Sequence, residues 1–227
     1  MADWRISKFF QINSLEICKL PFNSSIRQSA NAQIIVRMLK KIVVIGPEST
    51  GKSTLCEELA QHYDALWCPE FAREYLLTFG MQYDFDDLLT IAKGQLAMED
   101  EYAVKAEKEW NDQKIKRTAA PVLFIDTNMY VMKVWCEFVF GKCHSFIIDQ
   151  IVDRYYDGYL LCNTDLPWEK DELREYPNEE IRQQLYLMYK DIMVNQSVPW
   201  CNITGNNEHR LKIAIEGVDA FLTNIAQ

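Results

Sequence analysis

The stretch Gly46-Pro47-Glu48-Ser49-Thr50-Gly51-Lys52-Ser53-Thr54 constrains this chain more than any other. It fits G-x-x-x-x-G-K-[ST], the pattern of a phosphate-binding loop. Lys41-Ile42-Val43-Val44-Ile45 runs into it, a β-branched apolar run with the character of a buried parallel strand. Leu55 and Leu59 follow, four apart on one helix face. Gly46 and Gly51 let the backbone turn its N–H groups toward an anion, and the helix start adds unpaired donors. The pattern expects Lys52 on the β- and γ-phosphates of a nucleotide and Ser53 on Mg²⁺.

The 227 residues fit one domain of ordinary size, and 48% hydrophobic content fills its core without cross-links. The net charge of −9 argues against a broad nucleic-acid surface, whereas a triphosphate needs positive charge only locally. Seven scattered cysteines, odd in number and without a C-x-x-C pair, suggest neither a disulfide framework nor a zinc site, and a reducing cytoplasm is expected. The histidines, His62, His144 and His209, are too dispersed to suggest a metal site. No run approaches the ~18 apolar residues of a membrane span. Residues 1–37 show no sustained period, and Met38 sits three residues before the first strand. The expectation is an extension, 1–37, poorly ordered or foreign to the native protein, followed by one domain over 38–227.

From Met38 onward, short apolar runs alternate with helical patterns, which is the signature of an α/β fold. Strands are expected at 41–45, 65–68, 122–125, 159–162 and 200–203. Helices are expected at about 70–79, 85–112, 128–140, 144–155, 180–196 and 207–225. In such sheets ligands sit at the carboxyl ends of the strands, so polar residues just beyond a strand are the candidates. Glu70 and Arg73 follow the second strand. They suit a carboxylate that accepts a hydroxyl proton and a cation that holds phosphate or sugar, or else an acidic helix start behind Pro69. Asp126 ends the third strand, where it is either a Mg²⁺ ligand or the N-cap of the next helix. The charged, proline-bounded stretch 165–177 reads as a lid whose Arg174, with Arg182 beyond it, closes on a transferring phosphate; the other reading is a solvated loop. Gly205 marks a turn after the fifth strand, placed to pass beneath an adenine ring or simply to turn the chain.

Taken together these segments resemble the ribosylnicotinamide kinase domain at the C-terminus of bacterial NadR proteins and related stand-alone ATP-binding proteins. The resemblance runs from Lys40 to Phe221. It rests on the phosphate loop, Pro69-Glu70-Phe71-Ala72-Arg73-Glu74-Tyr75, Gly94-Gln95, Phe124-Ile125-Asp126-Thr127, Lys133-Val134-Trp135, Trp168, Asp171-Glu172-Leu173-Arg174, Gly205 and Arg210. It implies an α/β, P-loop nucleoside triphosphate hydrolase fold: a five-stranded parallel sheet of order 2-3-1-4-5, flanked by helices and carrying a small lid. It also implies ATP and Mg²⁺ as cofactors and transfer of the γ-phosphoryl group to the 5′-hydroxyl of nicotinamide riboside. Lys52, Glu70, Asp126 and Arg174 would be catalytic. Residues 46–54, Arg182 and Gly205 would bind the nucleotide, and Arg73, Tyr130 and Trp135 the acceptor, with Phe71 a further aromatic that could stack on the pyridine. Asn128 departs from the family, which often has a second acidic residue there. Thirty-seven residues are too few for the adenylyltransferase domain that NadR proteins carry upstream, so only kinase activity is expected. The alternatives are a nucleotide-binding regulatory ATPase without a small-molecule acceptor, or a kinase for another nucleoside.

Overall fold

A computed structural model describes residues 39–223; the expectation for residues 1–37 lies outside them. Five parallel strands form one sheet: β1 (Lys40–Ile45), β2 (Leu66–Cys68), β3 (Val122–Asp126), β4 (Gly158–Cys162) and β5 (Trp200–Ile203), in the order β2-β3-β1-β4-β5. This is the expected 2-3-1-4-5 arrangement. The registers Val43 to Ile125 and Val43 to Tyr159 put β1 at the centre, where its unbroken apolar run is covered on both faces.

The period of two along β1 divides the core. Ile42 and Val44 face helices α1 (Lys52–Tyr63) and α7 (Asn207–Thr223) through Leu55, Leu59, Ala214 and Val218. Val43 and Ile45 face the other way, toward the distal half of α3 (Phe85–Asp112), α4 (Met129–Phe140) and α6 (Glu179–Asn195). A third cluster joins α2 (Phe71–Phe79), the first half of α3, α4 and α5 (Ser145–Asp153) through Ala72, Leu88, Ile91, Met132 and Ile147. The 28-residue α3 thus belongs to both layers. It starts at a capping box, Asp84 accepting from the amides of Asp86 and Asp87 while Asp87 accepts from that of Asp84.

The helix expected over 144–155 stops at Asp153. Arg154 leaves it to bind both carboxylate oxygens of Asp100 (2.7 and 2.8 Å) and the buried Glu99 (3.2 Å), which also takes Lys41 (2.8 Å). A tertiary ion cluster therefore overrides the local helical pattern. Among the described residues no helix is long and apolar enough to cross a membrane. The carboxyl ends of β1, β2 and β3 bring Gly46, Pro69-Glu70 and Asp126 to one edge, and the candidate site lies there.

Candidate active site

The loop after β1 holds a conformation that its own sequence and two distant arginines enforce. Gly46 has φ +142°, and a Cβ there would stand 2.7 Å from the Cys162 carbonyl oxygen of β4. No other residue fits that approach without moving the sheet. Ser49 and Gly51 also have positive φ, +56° and +73°. The buried Thr50 hydroxyl donates to the Pro47 carbonyl (2.7 Å), closing the turn from within. Arg210 of α7 donates to the Thr50 carbonyl (2.8 Å), and Arg182 of α6 to those of Ser49 and Leu166 (3.2 Å each). The Lys52 ammonium donates to the Pro47 carbonyl (2.9 Å), folded over the loop it would serve.

Two carboxylates face this loop. The Ser53 hydroxyl donates to Asp126 Oδ2 (2.5 Å), while Oδ1, equally buried, has no hydrogen-bond partner among the described residues. Burial raises the Asp126 pKa, against the pull of the Lys52 ammonium and the Ser53 hydroxyl. Burial also pushes the Glu70 carboxyl up to about 7; the Asp126 charge adds to this, and Lys52 and Arg73 oppose it. The orphaned Asp126 oxygen beside a serine hydroxyl fits Mg²⁺. This hard cation takes oxygen donors and often needs only one or two from the protein, completing its shell with water and phosphate. Asp126 is not the helix cap: Asn128 caps α4, its side chain accepting from the Tyr130 amide (3.0 Å) and donating to the Tyr159 hydroxyl (3.3 Å). The residue that departs from the family pattern therefore fastens a helix and lines no part of the cavity described next.

The segment 163–178 crosses in front of the loop. Glu48, an acidic residue within a phosphate loop, turns its carboxylate away to accept from the amides of Glu175 (2.9 Å) and Tyr176 (2.6 Å) and from the Trp168 indole (3.3 Å). Ser49 Oγ accepts from the Glu169 amide (3.0 Å), and Arg73 pairs with Asp171 (3.1 Å). The Tyr83 hydroxyl donates to Glu175 (2.9 Å) and accepts from the Trp135 indole (2.9 Å). This strap closes a cavity of about 440 Å³, walled by the loop, Glu70, Arg73, Asp126 and an aromatic set that includes Trp67, Trp135, Phe138 and Tyr176. A second cavity of about 270 Å³ lies on the other side of the loop, between Leu166, Pro167, Asn207 and Arg210. Ser49, Gly51, Thr54 and Arg174 line both.

Of the residues expected from the sequence, the whole loop from Gly46 to Thr54, Glu70, Arg73, Asp126, Trp135 and Arg174 line the larger cavity. Arg174 donates to the Glu169 carbonyl (2.6 Å) within the strap. Four residues lie elsewhere. Tyr130 packs against Tyr159 beneath the wall, because the Asn128 cap turns the start of α4 inward. Arg182 is only 3% exposed and braces the loop from behind through the Ser49 and Leu166 carbonyls. Gly205 borders neither cavity; its amide donates to Asp165 (2.6 Å), and its φ of +93° makes the turn. Phe71 is drawn against Gly94 and Tyr75. Phe138, Tyr176 and Tyr189 are cavity residues that the sequence reading did not single out. A helical period could have found two of them: Phe138 continues Val131, Val134 and Trp135 on α4, and Tyr189 follows Leu185 by four on α6, all on the cavity wall.

A parallel sheet of order 2-3-1-4-5, with a phosphate loop leaving its central strand and an acidic residue ending the neighbouring one, defines a P-loop nucleoside triphosphate-binding protein. The chain belongs to the AAA_28 family, described as an AAA domain, whose model matches residues 41–210. It is similar to the trifunctional NAD biosynthesis/regulator protein NadR of Salmonella typhimurium and of Escherichia coli, at 23% identity over 172 residues in each case. Those matches cover 73% of this chain and 38% of the relative, so the chain spans well under half the length of these relatives. Among solved structures, NadR protein in complex with NR aligns over 87% of this chain and 55% of that one, at 20% identity and TM-score 0.65. NadR in complex with NAD and AMP-PNP aligns over the same shares, with TM-score 0.61. Thymidylate kinase from Ehrlichia chaffeensis aligns over 80% of this chain and 98% of that one, with TM-score 0.52. At this identity the structural matches speak for the fold.

Proposed function

We propose that the protein is an ATP-dependent kinase for a small hydroxylated acceptor, with nicotinamide riboside the first candidate. The observation that carries this reading is the larger cavity. A nucleotide switch needs only the loop and its metal. Here a space of about 440 Å³, within the usual size of a small-molecule site, opens beside the loop onto Glu70 and Asp126. The smaller cavity across the loop, floored by Leu166 and Asn207, suits the base of the nucleotide, so that the phosphates run between the two. The NadR relatives supply the choice of acceptor. A ring of aromatic side chains also suits a pyridinium, whose charge is drawn to π-faces.

In this reading the amides of residues 47–52 and the Lys52 ammonium hold the β- and γ-phosphates. Ser53 and Asp126 would hold Mg²⁺, which neutralises charge on those phosphates. Glu70 in its ionised form accepts the hydrogen bond of the acceptor hydroxyl. As the acceptor oxygen bonds to the γ-phosphorus, the bond to the β–γ bridging oxygen breaks, ADP departs, and Glu70 takes the proton. A carboxyl titrating near 7 is well matched to that exchange. Arg174, on the border of both cavities, neutralises the group in transit, and Arg73 gives up Asp171 to hold the acceptor.

The test is ADP release by the full chain with ATP–Mg²⁺ against a panel of nicotinamide riboside, thymidine and other nucleosides, the product being weighed by mass spectrometry. Thermal unfolding runs beside it, since a ligand of the native state raises its stability. Further stabilisation by nicotinamide riboside over ATP–Mg²⁺ and a monophosphate product are expected. Stabilisation by nucleotide alone, with no acceptor turned over, would establish the switch instead.

A further inference from the structure

Glu70 occupies the N-cap position of α2, where a carboxylate ordinarily folds back onto the amides of its own helix. It makes no such bond. The bonds that fix this corner come from α3 instead. Gln95, 1% exposed, accepts the Phe71 N–H at its Oε1 (2.8 Å) and donates from its Nε2 to the Pro69 carbonyl (3.3 Å). The same Nε2 lies 3.8 Å from the Cys68 sulfur, at the end of β2. One buried amide group therefore holds the residues immediately before and after Glu70. Its neighbour Gly94 completes the fitting: a Cβ there would meet the Phe71 ring at 2.1 Å, so only glycine lets Phe71 lie flat against α3. The sequence reading had the Gly94-Gln95 pair without any work for it.

We propose that Gln95 is the positioning residue for Glu70, an external clamp that pins the backbone on both sides and leaves the carboxylate free to face the cavity. The inference rests on the kinase reading above for what Glu70 then does, and on geometry alone for the clamp. A buried amide that merely satisfied the core would have no reason to bracket this one residue.

The experiment compares Gln95→Met and Gln95→Glu, each alone and combined with Glu70→Gln, in the full chain. Loss of the clamp displaces Glu70 without touching either substrate, and misplacement of about 1 Å can cost on the order of 10²-fold. Gln95→Met is therefore expected to lower kcat by about 10–100-fold with both KM values nearly unchanged, and to cost almost nothing further on the Glu70→Gln background. Gln95→Glu, kept protonated by burial, keeps an acceptor for the Phe71 amide and a donor for the Pro69 carbonyl, and should recover most of kcat. Equal losses on both backgrounds, or a loss confined to KM, would overturn the proposal. Hydrogen exchange gives a readout independent of turnover. The Phe71 amide should lose protection in Gln95→Met and keep it in Gln95→Glu, while amides of α1 stay as in the wild type. Unchanged Phe71 exchange in Gln95→Met rejects the clamp whatever the acceptor. A wild type that turns over no acceptor rejects the kinase reading and leaves the exchange result to decide the clamp.

Discussion

The phosphate loop and the strap across it enclose the same cavity and are held by different forces. The loop is fixed through its backbone. Gly46 sits where any Cβ would meet a β4 carbonyl, the Thr50 hydroxyl ties the turn internally, and two buried arginines take carbonyls of the loop. The strap shares those arginines at its start, where they also take Asn163, Asp165 and Leu166, but beyond Leu166 it is fixed largely through side chains at the surface: Arg73 to Asp171, Tyr83 to Glu175, Ser49 to the Glu169 amide. Exposed contacts of that kind are worth about 0–1 kcal/mol each. A loop fixed in advance grips a ligand without reorganising, while a strap held by weak bonds can open for entry and product release. Glu48 belongs to both, a loop residue whose carboxylate is spent on the strap.

The contrast can be broken most sharply at Lys52. Lys52→Ala leaves the scaffold intact and removes the ammonium from the phosphates. A fall in kcat/KM of about 10³-fold or more is expected from steady-state kinetics, with calorimetry showing a smaller shift of unfolding temperature than Gly46→Ala, from the lost bond to Pro47. Gly46→Ala attacks the scaffold instead. A Cβ at φ +142° against the Cys162 carbonyl should cost about 2 kcal/mol, or roughly 4–8 °C in unfolding temperature, together with the stabilisation by ATP–Mg²⁺.

Glu70 supplies a pH signature. With its carboxyl at about 7, kcat/KM should rise with pH through 7 as the acceptor for the hydroxyl proton ionises, and Glu70→Gln should be slower and lack that limb. Stability runs the other way. The folded value lies above the ordinary 4.5, so this group's contribution is complete below pH 4.5 and is lost as pH rises through 7. The unfolding temperature of Glu70→Gln should therefore gain on the wild type between pH 5 and pH 8. The smallest effect belongs to the strap. Asp171→Asn removes one exposed pairing and should change stability by less than about 1 kcal/mol, while exchange at amides 168–176 quickens.

The sequence displayed most of the scaffold because its signals are local. All five strands, the helix over 85–112, and the loop with Glu70 and Asp126 follow from apolar runs, a glycine pattern and the rule for strand ends, whereas the strand order comes only from the family resemblance. What it concealed is tertiary. Nothing near Arg182 says that its guanidinium will lie under a loop 133 positions upstream. Nothing near Tyr130 says that its ring will pack against Tyr159 of β4. Asp126 kept two readings open until Asn128 was seen to do the capping. Gln95 stood out only as part of a resemblance, since an amide in the middle of a long helix carries no periodic mark of what it will bind.

Arg210 has a consequence for how the molecule comes into being. Its guanidinium reaches the Thr50 carbonyl from a helix 160 positions later, and it also binds the Asn163 carbonyl and Asp165. A nascent chain that has left the ribosome as far as β4 already displays the whole nucleotide signature, yet it lacks the brace that shapes it. Affinity for a triphosphate should thus arrive only once α7 has emerged, and chains stalled before it would be spared from sequestering nucleotide before they can use it.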